Sequence, residues 1–342
     1  MNIPAKKWKK KSPPRKVLAI RLQAMGDLVI TLPYLQQLRT SLPERTRLDL
    51  LTRDEVDDIP KNIFLFDKVY SIGGGRNVKK QILHTCFLLP ELLFRQYDVV
   101  LDLQNNIVSR LVRKVLSPPA WSEFDRFSPM AAGESTRLTI EATGIGKSFA
   151  NPGFKFKNDL DEVELLKLNG WDERNELVIL NPAGAFMSRN WPIDNYVEFA
   201  NLWVSHFPKT QFLILGTGRV EIQSEHLKNK LGEKLINLVN KTSVIQAFAI
   251  IQHVKFVLSE DSGLMHMSWV SGIPILALFG STRSVRARPL GNHSLFLDSS
   301  DLECGSCMQE ICKYGDVHCL TRYTPALIFE KALSLINAYK ES

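Results

Sequence analysis

Three short segments of this chain place a charged or hydroxyl side chain just after a glycine-containing turn, and each could serve a different part of one reaction. In RLQAMGDLVITLP, Asp27 follows Gly26 where an amphipathic stretch begins. A carboxylate there can cap the coming helix, where the helix dipole favours it. It can equally act as a general base that takes a proton from an attacking hydroxyl. In LNPAGAFMSRNWP, Gly184 allows close backbone approach, and Arg189 stands ahead of a helix whose free N–H groups suit an anion. Its planar guanidinium matches phosphate oxygens; the competing reading is a surface arginine beside an ordinary loop. In SEDSGLMHMSWVSG, Ser262 and the N–H groups after Gly263 can cradle a phosphate, with Asp261 just before them. His266 lies one turn into the same helix and reads either as a ligand to that phosphate or as a structural histidine. Further on, Cys304, Cys307, Cys312 and Cys319 crowd into CGSCMQEICKYGDVHC together with His318. Four thiolates could hold a tetrahedral structural zinc, and reduced thiols in a packed loop are the other reading.

The elements around these residues are strands that run into turns. KVLAIRL at 16–22 is a strand, followed by the Gly26 turn and a helix. RLDLLTR at 47–53, KVYSIG at 68–73 and YDVVLDL at 97–103 are further strands, with a helical QILHTCFLLPELLFRQ before the last. The alternation pauses over 117–158, where prolines and glycines gather. It resumes with ELVILNPAG at 176–184, QFLILGTG at 211–218, LINLVN at 235–240, KFVLSED at 255–261 and PILALFG at 274–280. TPALIFEKALSLINAYK reads as one closing helix after Pro325. Strand and helix in alternation predict parallel α/β sheets, and two successive runs predict two such domains. The motifs all fall at strand ends, where open parallel sheets bind ligands.

The composition is that of a soluble globular chain: 342 residues, 44% hydrophobic and 23% charged. No run approaches the ~18 apolar residues of a membrane span, and the N-terminus lacks a signal-peptide core. The net charge is +7, yet seven Lys and Arg and no acid lie within MNIPAKKWKKKSPPRK. The rest is near neutral, unlike the basic face of a nucleic-acid-binding domain. That leader reads as a solvated, disordered segment of residues 1–15. Its second reading is attraction to an anionic inner-membrane surface, at about 1 kcal/mol per basic residue, with Trp8 suited to the interface. Without an export signal the compartment is cytoplasmic and reducing, where disulfides are not expected.

In combination, the segments resemble glycosyltransferase family 9, the ADP-heptose:lipopolysaccharide heptosyltransferases, and in particular the heptosyltransferase II type. The resemblance rests on MGD at 25–27 with TLP at 31–33, on NPAGAFMSRNWP, and on DSGLMH followed by SGIP and LFGST. It covers roughly residues 16–335. It implies an α/β GT-B fold of two facing Rossmann-like domains with a cleft between them. The acceptor-binding domain would cover 16–165 and the nucleotide-sugar-binding domain 170–324, with the helix of 325–342 free to pack back on the first. It implies an inverting transferase that needs no metal for chemistry and moves a sugar, heptose in the best-known members, from an ADP-sugar to a lipopolysaccharide core acceptor. Asp27 would be the base. Gly26, Gly184, Arg189, Glu221, Asp261, Ser262, Gly263 and His266 would bind the donor: Arg189 the diphosphate, Glu221 the ribose and Asp261 the sugar hydroxyls. DLQNNIVSRLVR and FDRFSP resemble family acceptor segments, which nominates Gln104, Arg110, Arg126 and Arg137 for an anionic core sugar. The cysteine cluster resembles that of heptosyltransferase II-type members as well. Gln23 and Ala24 replace the serines usual before MGD, and Arg189 replaces the usual lysine.

Two other functions fit the same segments. One is a nucleotide-sugar-binding protein of this fold with a different donor or with no catalysis. The other is an epimerase, which would need two carboxylates near the anomeric carbon where only Asp27 is evident. A dehydrogenase is excluded because neither strand-one turn carries G-x-G-x-x-G.

Overall fold

The computed structural model describes residues 3–340. The chain divides into two compact units, Met1–Asn158 and Asp159–Ser342. Each is built on one six-stranded sheet.

In the first unit the strands are β1 (Ala5–Lys6), β2 (Lys16–Ile20), β3 (Arg47–Arg53), β4 (Lys68–Ile72), β5 (Val99–Asp102) and β6 (Ala120–Glu123), in spatial order β1-β6-β5-β2-β3-β4. All neighbours are parallel except β1, which lies antiparallel on β6. β2 and β5 are apolar because helices cover both faces of the sheet; Val17, Leu18, Ala19, Ile20, Val99, Val100 and Leu101 are fully buried. The chain reverses direction across the sheet between β2 and β5. That makes their carboxyl ends the switch point where such sheets take ligands.

The second unit repeats the plan with β7 (Glu176–Asn181), β8 (Thr210–Gly216), β9 (Leu235–Val239), β10 (Val254–Glu260), β11 (Ile275–Leu278) and β12 (Ser294–Leu297). All are parallel, in order β12-β11-β10-β7-β8-β9. Its switch point lies between β7 and β10. Its core is aromatic: Trp203 stacks on Phe256 with ring centroids 4.9 Å apart, and Trp191 meets Tyr196 edge-on at 5.0 Å.

One expectation is corrected. The leader is not disordered throughout: Ala5 and Lys6 pair with Ser122 and Trp121, and the Trp8 N–H donates to the Thr143 carbonyl at 2.8 Å. The edge of β6 offers backbone partners, and basic side chains can stay in water while the backbone joins the sheet. The closing helix Pro325–Lys340 belongs to the second unit. Ile328, Ala332, Leu335 and Ile336 join the core that holds Phe199, Trp203 and Phe256, because their spacing makes one apolar face that fits the helix Ile193–His206. The pause at 117–158 contains β6 and the helix Ala132–Glu141. Both are short and flanked by Pro and Gly, which masked their period in sequence.

Candidate active site

Asp27 sits in the first turn of the helix Met25–Ser41, directly beyond β2. Its Oδ2 accepts the N–H of Ala24 at 3.1 Å, so it does cap the helix. It is not lost in packing, since its side chain is 45% exposed. Arg21, one residue past β2 and almost wholly buried, reaches Asp27 Oδ1 with Nη2 at 3.0 Å. Burial pulls the guanidinium below its ordinary pKa, and Asp27 opposes that shift. Arg21 also donates to the Leu103 carbonyl and lies 4.9 Å over the Phe124 ring. The carboxylate is thus aimed from the β2 side by one buried cation and one backbone N–H, and its remaining lone pairs are open to solvent.

Gln104 holds the same switch point together. It is buried, and its Oε1 accepts the N–H groups of Leu22 and Gln23 at 2.9 and 3.0 Å, tying the turn after β5 to the turn after β2. Its amide oxygen is thereby used in positioning the Asp27 turn. Arg110 and Arg126 are exposed, and Arg110 Nε donates to the Asn106 carbonyl at 3.3 Å. Arg137 is held within its own helix by Glu134 at 2.5 Å and Glu141 at 2.7 Å, which raise its pKa. Its charge is largely answered locally.

The second unit gathers most of the expected donor residues at its own switch point. Ser262 caps the helix Gly263–Val270 by accepting the Met265 N–H at 3.4 Å, and it accepts a second hydrogen bond from Asn181 Nδ2 at 2.8 Å. With both lone pairs engaged, its hydroxyl proton is left for an acceptor such as a phosphate oxygen. A Cβ added to Gly263 would meet nothing within 4 Å, so open space lies over the helix mouth. His266 is buried in the first turn of that helix. Arg189 lies 3.6 Å from Asp261 and over the Phe186 ring at 4.4 Å, and its buried Nε has no hydrogen-bond partner among the described residues. The Gly184 turn folds back on Arg189: a Cβ at 184 would lie 2.6 Å from the Asn190 amide and 2.7 Å from the Arg189 carbonyl oxygen. Glu221 begins the helix after β8, one strand further from the switch point, and is exposed.

Sequence reasoning missed Glu260, the residue that ties these turns together. Its side chain is fully buried at the end of β10. Oε2 accepts the Gly184 N–H at 2.7 Å; Oε1 accepts the Trp191 N–H at 2.7 Å and the Tyr196 hydroxyl at 3.2 Å. Burial pushes its pKa up to about 8 against these three donors. The available signal was a carboxylate ending a strand with the apolar run Phe256–Leu258, a position where acids are rare unless bonded. Arg21 gave a similar signal at the end of KVLAIRL.

The cysteines form a feature of their own. Cys304, Cys307, Cys312, Cys319 and His318 line one cavity, and all four cysteines are free. Burial and the neighbouring thiols raise Cys319 to about 11. Among the described residues no three His, Cys, Asp or Glu side chains are gathered to hold a metal ion. The loop backs the Arg189 turn. The Ser188 N–H donates to the Glu310 carbonyl at 3.2 Å, Ser188 Oγ donates to the Gln309 carbonyl at 2.5 Å, and Met308 N–H donates to the Ser281 carbonyl at 2.8 Å.

Two Rossmann-like units, each with polar groups gathered at its switch point, define a protein of the GT-B architecture. The family model of Glycosyltransferase family 9 (heptosyltransferase) matches residues 125–318, and the chain belongs to that family. Lipooligosaccharide heptosyltransferase 2 of Campylobacter jejuni is 30% identical over 46% of this chain, and the match spans about half (50%) of that relative's length. Among solved structures, a glycosyl transferase of family 9 from Veillonella parvula superposes with a TM-score of 0.78 at 17% identity, covering 94% of this chain and 97% of its own. The ADP-heptose lipopolysaccharide heptosyltransferase II of Escherichia coli superposes at 0.71, also at 17% identity, covering 96% of this chain and 100% of its own.

Proposed function

We propose that this protein transfers heptose from ADP-heptose to a lipopolysaccharide core acceptor with inversion at the anomeric carbon. The relatives' names supply the donor and acceptor classes, and the site residues supply the roles. Asp27 takes the proton of the acceptor hydroxyl. The freed oxygen bonds to the anomeric carbon as the bond to the ADP oxygen breaks, and the proton passes from Asp27 to water. Arg21 orients the carboxylate through its 3.0 Å contact. The charge that develops on ADP falls to Arg189, to the Ser262 hydroxyl and to the N–H groups that open the helix Gly263–Val270. His266 lines the same mouth, Asp261 takes sugar hydroxyls and Glu221 takes the ribose. Gly26 and Gly184 allow backbone approach to the donor. Gln104 sets the acceptor turn, and Arg110 and Arg126 offer charge to an anionic core sugar. The reaction takes place in the cytoplasm at the inner membrane, which the basic N-terminal residues help the protein to reach.

The observation that carries this reading is the exposed Asp27 carboxylate, aimed by Arg21 and Ala24 at one switch point, in a chain whose other switch point is built for an anion. The test is Asp27→Asn assayed with ADP-heptose and a core acceptor, product identified by mass. Turnover should fall roughly 10²–10⁴-fold while ADP-heptose affinity is unchanged. Retained turnover, or lost donor affinity, removes Asp27 as the base. Isomerised ADP-sugar without transfer would replace the transferase reading by an epimerase.

A further inference from the structure

The helix Val78–Arg95 presents apolar side chains to solvent. Its buried positions are Gln81, Thr85 and Leu92. On the opposite side Leu83, Phe87, Pro90 and Phe94 follow at i, i+4, i+7 and i+11, the spacing that aligns side chains in one stripe. Leu83 is 55% exposed, Phe87 78% and Phe94 87%. The polar groups turned inward are satisfied: Gln81 Nε2 donates to the Gly75 carbonyl at 2.6 Å, and Thr85 Oγ1 to the Gln81 carbonyl at 2.7 Å. Asn77 caps the start by accepting the Lys80 N–H at 3.2 Å. Nothing in the packing therefore calls for the helix to turn over.

Charge states what this face fits. Lys79 and Lys80 are exposed and bracket the stripe one turn before Leu83, and Arg76 is exposed just ahead of the helix. The first unit holds 26 Lys and Arg against 15 Asp and Glu, whereas the second holds 17 against 21. A second copy docking here would set one basic unit against another. An anionic bilayer offers acyl chains to the stripe and headgroups to the lysines. The helix has 18 residues, about 27 Å of length, and no helix among the described residues is long and apolar enough to cross a membrane. It suits a position lying in the interface.

We infer that the helix Val78–Arg95 seats the protein on an anionic lipid surface, with Phe87 and Phe94 entering the acyl boundary and Lys79 and Lys80 resting on headgroups. The inference deepens the proposed function, because it supplies the surface on which a lipid-anchored acceptor is met. It also moves the principal contact from the leader to this helix.

The test is co-sedimentation of the full chain with vesicles of phosphatidylcholine alone or mixed with phosphatidylglycerol. The protein should bind the mixed vesicles and not the neutral ones, and salt should weaken binding. Phe87→Ser with Phe94→Ser should abolish most of it. Lys79→Gln with Lys80→Gln should lower the partition constant about thirty-fold. Circular dichroism and melting should match the parent, since all four side chains are exposed. Failure of the parent to bind, or equal binding by the variants, overturns the inference. So does a lipid-free dimer that the phenylalanine pair dissolves, which would assign the stripe to a second copy. Transfer to a delipidated, water-soluble acceptor separates the two readings. The phenylalanine variants should keep it, and its absence in the parent would count against the transferase while leaving the vesicle result standing.

Discussion

Replacing Glu260 by glutamine should flatten the pH dependence of the protein's stability over a defined window. The folded carboxyl titrates at about 8, against an ordinary value of 4.5. Between those values the folded state keeps a proton that the unfolded chain has released. Stability is therefore fullest below the unfolded pKa, falls as pH rises, and levels off above about pH 8. The slope is about 1.4 kcal/mol per pH unit, and the whole window amounts to about 5 kcal/mol as an order of magnitude. Glutamine keeps an acceptor oxygen for the Gly184 or Trp191 N–H and cannot ionise, so the E260Q profile should stay level where the parent's declines. The assay is urea unfolding at a series of pH values, followed by tryptophan fluorescence. Trp191 is a near reporter, because its backbone N–H is bonded to Glu260. The difference between parent and variant cancels every other titrating group. Glu260→Ala gives the second arm: it orphans the Gly184 and Trp191 N–H groups at about 1–3 kcal/mol each, across the whole pH range. Parallel profiles for parent and E260Q from pH 5 to pH 9 would refute the assignment of a buried, rising pKa to this carboxyl.

Two further outcomes follow from the donor turn. Gly184→Ala places a methyl group 2.6 Å from the Asn190 amide; a loss of about 1–3 kcal/mol by melting or urea and weaker ADP-heptose binding are expected, and an unchanged donor affinity would show that the turn does not shape the site. Arg189→Ala should weaken ADP binding by roughly 10–100-fold in calorimetry, the loss of one charge-assisted hydrogen bond, with little change in melting. An equal loss for a non-phosphorylated nucleoside would count against a diphosphate contact.

The strands that carry both switch points were legible because parallel strands covered on both faces must be apolar throughout, and VLAI, VVL, LVIL and FVL announce themselves against their turns. The motif residues were legible for the related reason that a strand must stop before its turn can hold polar groups. Asp27, Arg189 and Ser262 all stand just past such stops. The short elements of 117–158, the edge strand β1 and the docking side of the last helix were not legible, since each depends on a partner distant in the chain.

By itself the sequence determined the two α/β runs, the turns that carry charge, and the acids and bases available at each strand end. Only the tertiary structure decided which of them act together. Glu260 and Gly184 are 76 residues apart and hydrogen-bonded, while Arg137, which reads as free for an anion, is answered by carboxylates on its own helix. The physical reason is that a residue type fixes the charge and the donors it can offer. Whether those are left over for a ligand depends on which partners folding brings within hydrogen-bond reach and how much water it removes around them.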